Sequence, residues 1–363
     1  MIDHSRKKVL IVGLGLIGAS LALAIKAGND KAEIVGADNE EVLRIATTRG
    51  IIDQTTTDFE SAAEKATHII LATPVDVTID YIGRLAKLKL RKDVVITDTA
   101  STKQEVMAAA NEAFSEKSRM TFIGGHPMAG SHKSGPNAAD EKLFENAYYV
   151  LTKHHEGLEE LLEGCHAKFI VMDADEHDAV TGQVSHLPHV LASALVLQSA
   201  DYAKKHPRVE NLAAGGFRDL TRIADSDADL WTSVMLSNTD DIVERIGNFQ
   251  EQLDKIKTML EEKDERAIKS FFENGKSERD QMEIHPGALE AYYDLFVSIP
   301  DESGSVLRVL SALESFSIVN IKINEGNRED IHGTLQISFK NEHDRERARE
   351  EVERRTKFDV VDK

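Results

Sequence analysis

Three glycines near the start of the chain, in Gly13-Leu14-Gly15-Leu16-Ile17-Gly18, stand at a spacing that lets backbone wrap a pyrophosphate. The first permits a tight turn, the second removes any side chain between backbone and phosphate, and the third lets a helix pack closely on a strand. Asp38 lies twenty residues beyond Gly18, where a carboxylate accepts hydrogen bonds from ribose hydroxyls and repels a 2′-phosphate. Farther along, His126 is held between Gly125 and Pro127, where backbone shaped closely around one side chain favours a functional role. Ser101 offers a hydroxyl. Thr73-Pro74 reads equally as a polar contact or a turn. His186 and His189, three apart, share one face of any helix through them. Arg218 and Arg222, four apart, can meet an anion together, or one can pair with Asp219 in a surface salt bridge of little consequence.

These groups need elements to hold them. Val9-Leu10-Ile11-Val12 is an apolar run fit for a strand buried on both faces. Ala19 to Ala27 reads as a helix closed by Gly28, and Ala32 to Ala37 as a second strand ending at Asp38. The glycine motif therefore stands in a complete βαβ context and implies dinucleotide binding, with Gly13, Gly15, Leu16, Ile17, Gly18 and Asp38 in contact and NAD favoured over NADP. Arg44 is a nearby cation that could still accommodate a 2′-phosphate. FAD would call for further signatures that the chain lacks. Strands follow at His68–Ala72, Val94–Thr97, Phe122-Ile123, Tyr148–Leu151 and Lys168–Val171. Ligands of open α/β sheets bind outside the carboxyl ends of the strands, which brings Thr73, Ser101 and His126 to one rim.

Beyond Asp173 the pattern turns helical: Glu176 to about Lys205, with Pro188 kinking it or starting a new helix, then Ser226 to Gly247 and Phe249 to Phe272. Histidines 177, 186 and 189 raise the question of a metal. No pair has HExxH-like spacing, and hydride transfer to NAD needs no metal, so none is expected. Lys276 to His285 reads as a linker. The tail alternates strand and helix in the order βαββαβ, a ferredoxin-like unit. The expected architecture is an α/β Rossmann domain (1–172), an all-helical dimerisation and substrate domain (173–287) and a ferredoxin-like domain (288–363). A chain of 363 residues has room for all three. Its net charge of −19 works against non-specific nucleic-acid binding. No run of 18 apolar residues could span a bilayer, and Met1 to Lys8 lacks the features of a signal peptide. One cysteine, Cys165, excludes an internal disulfide framework. A cytoplasmic location is expected.

Four motifs, in order, give the chain a resemblance over essentially its whole length: Asp98-Thr99-Ala100-Ser101-Thr102-Lys103, Gly125-His126-Pro127-Met128-Ala129-Gly130, Ser185-His186-Leu187-Pro188-His189, and Gly216-Phe217-Arg218-Asp219-Leu220-Thr221-Arg222. With the glycine fingerprint, the chain resembles prephenate dehydrogenases of the tyrosine-biosynthesis type that carry a C-terminal ACT domain. The turn Asp301-Glu302-Ser303-Gly304-Ser305-Val306 is similar to the ACT strand-to-helix turn, with Ser303 where many members have proline. The resemblance implies oxidative decarboxylation of prephenate by NAD. It implies His126 as base at the ring C4 hydroxyl, with Ser101 holding that hydroxyl and orienting His126. Arg222 would clamp the ring carboxylate and His189 line the pocket, with His186 and Arg218 in support. It also implies a homodimer and tyrosine as an effector. Arogenate dehydrogenase is the nearest alternative, and an NAD-binding, amino-acid-sensing regulator without turnover is a more distant one.

Overall fold

A computed structural model describes residues 7–29, 31–115, 120–130, 133–282, 293–300, 302–324, 332–339 and 342–361. The expected boundary at 287/288 and Asp301 of the tail turn lie outside these. The chain divides into two compact units, Met1–Ile284 and His285–Lys363.

The first unit opens with alternating strands and helices: β1 (Lys8–Val12), α1 (Leu16–Gly28), β2 (Glu33–Ala37), α2 (Glu40–Thr48), β3 (Gln54–Thr56), α3 (Phe59–Lys65), β4 (His68–Leu71), α4 (Val75–Leu85), β5 (Val95–Asp98), α5 (Gln104–Phe114) and β6 (Thr121–Ile123). All six strands are parallel, in the order β3-β2-β1-β4-β5-β6. This is the doubly wound order, and its switch point falls between β1 and β4. Because successive side chains alternate faces, Val9, Ile11, Ile34 and Ile70 join the core under α1. Leu10, Val12, Val35 and Leu71 join the core on the opposite face. Two-sided burial is why β1 is an unbroken apolar run.

The strands expected at Tyr148–Leu151 and Lys168–Val171 form, but in a separate sheet. There β7 (Gly125–Pro127) pairs antiparallel with β8 (Tyr148–Leu151), which pairs parallel with β9 (Lys168–Val171). The short α6 (Glu156–Leu161) joins β8 to β9.

The helical run expected from Glu176 to Lys205 is three pieces: α7 (Ala174–Thr181), a π turn (Gly182–His186) and α8 (Leu187–Ala203). Pro188 accounts for the break. It has no N–H for the carbonyl of Val184, and its ring crowds that carbonyl, so the helix widens by one residue before resuming. After α9 (Arg208–Leu212), α10 (Gly215–Thr221) and a 3₁₀ turn (Arg222–Ala224) come α11 (Ala228–Ser237), α12 (Thr239–Glu261) and α13 (Glu265–Gln281). The two helices expected over Ser226–Phe272 are thus divided differently, at Asn238 and again at Lys263, whose φ of 54° no α-helix admits. Lys276 to Gln281, read as linker, is the end of α13.

The second unit runs β10 (Tyr293–Pro300), α14 (Ser305–Ala312), β11 (Ile318–Asn324), β12 (His332–Phe339), α15 (Glu342–Arg355) and β13 (Val360–Val361). Its antiparallel sheet has the order β11-β12-β10-β13. Leu295, Val297, Leu335 and Ile337 form its core with Val309 and Val352 from the two helices.

Candidate active site

The glycine turn between β1 and α1 has the shape its spacing demands. Gly13 has φ +87°, and a Cβ there would strike the Ala72 carbonyl oxygen. A Cβ on Gly18 would strike the Gly13 carbonyl oxygen, whereas one on Gly15 would meet nothing within 4 Å. Gly15 thus leaves open space where backbone can approach a ligand. It begins α1 without a side-chain cap, and the first turn of α1 has no acidic residue, so no side chain of that turn competes with a phosphate for the amides there. Asp38 is fixed beside this turn. One oxygen accepts from the Leu14 N–H at 2.7 Å, and the other accepts from the Asn39 N–H at 2.7 Å and side-chain amide at 2.9 Å. These residues fit a dinucleotide. Leu16 and Ile17 lie in the first turn of α1, half-buried, while Arg44 is exposed on α2. Thr73 lies two residues past β4 and shares a 2.8 Å hydrogen bond with the buried Thr78 hydroxyl, which ties it to α4, and Pro74 stands at the N-cap of that helix.

His126 lies on β7, opposite Val150 of β8. Its Nδ1 is 2.8 Å from Nε2 of His177 on α7, and His177 Nδ1 is 2.6 Å from an Asp178 carboxylate oxygen. His177 and Asp178 are both fully buried. The two Asp178 oxygens also accept the Lys103 N–H at 2.7 Å and the Gln104 N–H at 2.8 Å, so a residue of α7 caps the N-terminus of α5. Burial, reinforced by His177, Lys103 and His186 close by, holds the His126 pKa well below the usual histidine value. The ring is therefore neutral near pH 7.

The Asp98–Lys103 loop past β5 supports this centre. Asp98 accepts the Gly125 N–H at 3.1 Å and the Ala100 N–H at 2.9 Å, and pairs with the Lys103 ammonium, both side chains wholly buried. Burial lowers the Lys103 pKa and Asp98 opposes that shift. Thr102 shares a 2.8 Å hydrogen bond with Ser237 of α11, joining the loop to the helical segment. Ser101 is half-buried in this loop. The resemblance gave it the orienting of His126, but among the described residues the hydrogen bond on the His126 ring comes from His177.

His186 ends the π turn, buried. Its Nδ1 is 3.1 Å from the Asn238 amide, which also donates to the Asp178 carbonyl at 2.9 Å. Burial lowers its pKa to about 4. Asn238, at the junction of α11 and α12, thus ties His186 to α7. His189, one turn into α8, stacks on Trp231 with ring centroids 3.7 Å apart. Its Nδ1 donates to the Ser185 carbonyl at 3.0 Å, which can only accept, and among the described residues Nε2 has no hydrogen-bond partner. Burial and the nearby Arg222 depress its pKa. Arg222 starts the 3₁₀ turn packed on α8, with its side chain exposed; Arg218 is exposed at 3.8 Å from Asp219. Among the described residues no group of three or more His, Cys, Asp or Glu is placed to hold a metal ion.

Sequence reading gave no role to Asp178, Asn238 and Trp231, quoted Lys103 only as the end of a motif, and raised His177 only in the question of a metal. The adjacent His-Asp pair was the one legible sign, a titratable ring beside a carboxylate in an otherwise apolar stripe.

Residues 21–171 match the family model described as prephenate dehydrogenase, nucleotide-binding domain, and residues 173–274 match prephenate dehydrogenase, dimerization domain. A prephenate dehydrogenase of Lactococcus lactis subsp. cremoris is 58% identical over 98% of this chain and 100% of its own length. The chain belongs to the prephenate dehydrogenase family. A second relative, from Bacillus subtilis, is 41% identical over 99% of both chains. Among solved structures, the prephenate dehydrogenase of A. aeolicus, in complex with hydroxyphenyl propionate and NAD+, superposes with a TM-score of 0.68 at 30% identity. The match covers 77% of this chain and 99% of that one. No helix among the described residues is long and apolar enough to cross a membrane.

Proposed function

We infer that this chain catalyses the NAD-dependent oxidative decarboxylation of prephenate to 4-hydroxyphenylpyruvate in tyrosine biosynthesis, and we propose which side chains carry it. The observation behind the assignment is His126, a neutral imidazole held at the edge of the nucleotide-binding fold by a histidine from the helical segment. Bound NAD supplies the acceptor for the hydride that leaves ring C4. His126 takes the C4 hydroxyl proton as the hydride departs, and a ring that is neutral near pH 7 is ready to accept it. Ser101 holds the same hydroxyl. Loss of carbon dioxide restores aromaticity, and the phenolic oxygen then recovers the proton from His126, so no net proton is consumed. Arg222 clamps the ring carboxylate, and His189 lines the pocket through its open Nε2. His186 and Arg218 support that wall. Gly13, Gly15, Leu16, Ile17, Gly18, Asp38, Thr73 and Pro74 hold the cofactor.

Initial rates on prephenate and arogenate, each with NAD and NADP, test this reading. The highest kcat/KM is expected for prephenate with NAD. A higher value for arogenate would reassign the substrate, and absence of turnover on both would make the chain a sensor.

Three further assignments belong to the same reading. The chain acts as a cytoplasmic homodimer through the helical segment, where Leu197, Leu236, Val243 and Leu253 are large apolar side chains exposed on α8, α11 and α12. The second unit is an ACT domain, supported by its β–α–β–β–α–β order. Tyrosine is its effector.

A further inference from the structure

The segment beyond β9 places two side chains behind His126 that the assignment above does not use. Asp178 accepts two backbone N–H groups at the start of α5, which fixes its carboxylate against the nucleotide-binding half of the unit. That carboxylate has only acceptors to offer, so the 2.6 Å contact with His177 Nδ1 requires the proton on Nδ1. With its single proton there, His177 presents a lone pair at Nε2. The 2.8 Å contact with His126 then fits a His126 proton on Nδ1. His126 Nε2 is left without a proton, which is the form a general base needs.

We propose that Asp178 and His177 are positioning residues that hold His126 in its Nδ1–H tautomer, with Nε2 open to the substrate hydroxyl. This rests on the reading of His126 as the base. Once His126 accepts the substrate proton it becomes an imidazolium, and its Nδ1–H donates more strongly to His177, whose own proton is anchored on Asp178. The chain of two rings and a carboxylate thus stabilises the charge that appears on the base, as a buried Asp does for a single catalytic histidine. The device spans two parts of the first unit. Among the described residues, the hydrogen bond on the His126 ring comes from α7.

The tautomer itself can be read in the unmodified protein by ¹⁵N NMR with labelled histidine, with the His126 signal assigned by its loss in His126→Asn. Nδ1 protonated and Nε2 unprotonated is expected near pH 7; the reverse would overturn the proposal. Kinetics supply a second arm. His177→Gln keeps an acceptor near the Nε2 position and should stay within about tenfold of wild-type kcat. His177→Phe keeps the ring shape without the acceptor and should lose at least about a hundredfold in kcat with little change in NAD affinity. Equal losses in the two variants, or a Phe variant near wild type, would overturn it. If His126→Asn abolishes turnover while His177→Phe does not, only the positioning proposal falls. If His126→Asn itself leaves turnover intact, the reading of the base falls first.

Discussion

The imidazole of His126 loses water on folding and faces His177 and Asp178 on α7, Lys103 with its partner Asp98 on the loop past β5, and His186 in the π turn. Burial first, then His177, Lys103 and His186, all push its pKa down. The sign matters for catalysis. A base with a depressed pKa stays unprotonated as the pH drops, so the acidic limb of the kcat/KM profile for prephenate should lie below the ordinary histidine value of 6.5. A limb at or above 6.5 would contradict that environment. Arg222 is exposed and starts a short 3₁₀ turn, so its substitution should leave the fold alone. Arg222→Ala is expected to raise the KM for prephenate roughly 10- to 100-fold, the worth of one charge-assisted contact, with a smaller change in kcat. An unchanged KM would remove it from the carboxylate clamp. At this scale the sequence was most legible where chemistry and backbone geometry coincide, as at Gly125-His126-Pro127. It was least legible at His177, because a histidine at helical spacing among apolar residues looks like any core position until its partner across the fold is known.

At the scale of elements, the β1 turn and the π turn show the two ways sequence specifies position. The glycine turn is local: three residues, each with a separate steric reason, and all three were readable before any fold was known. Gly18→Ala should cost about 1–3 kcal/mol, because its methyl group would strike the Gly13 carbonyl oxygen. NAD affinity should fall with it, as isothermal titration and urea unfolding would show. Normal NAD binding in that variant would refute the tight contact between α1 and β1. Asp38→Asn removes the charge that repels a 2′-phosphate, so the kcat/KM ratio of NAD to NADP should drop by tenfold or more, roughly 1.4 kcal/mol. The π turn is different. Pro188 announced an interruption, but whether it would kink a helix, end it or widen it depends on packing against α12, and that is a tertiary matter. The divisions at Asn238 and Lys263 were hidden for the same reason: the apolar periodicity of α11, α12 and α13 runs on through short breaks.

For the molecule as a whole, buried neutral histidines link stability to pH. His68 and His186 are both held near pKa 4 by burial, against 6.5 when unfolded. The unfolded chain therefore binds more protons between these values, and stability falls as the pH drops from 6.5 towards 4, by on the order of 3 kcal/mol for each group. Urea midpoints at pH 7.5 and 5 should differ accordingly, with a smaller difference in His68→Gln; equal midpoints would contradict the buried, neutral state. If the second unit is the tyrosine sensor, a chain ending at Met282 should lose inhibition by tyrosine that the full chain shows, and equal inhibition would place the effector elsewhere. The succession of a nucleotide-binding sheet, a helical segment and a small C-terminal sheet was legible from changes in periodicity, although the first two form one compact unit. What could not be read was that α7 closes on the start of α5, because a contact between residues 75 apart leaves no local pattern. The proposed site depends on that closure: the parallel sheet would supply the cofactor cradle, β7 of the second sheet the base, and the helices what orients the base and binds the substrate. The most direct test compares NADH formation from prephenate by wild type and His126→Asn, with NAD affinity measured alongside. A loss of about 10²- to 10⁴-fold in kcat at unchanged NAD affinity is expected, and turnover near wild type would contradict the account.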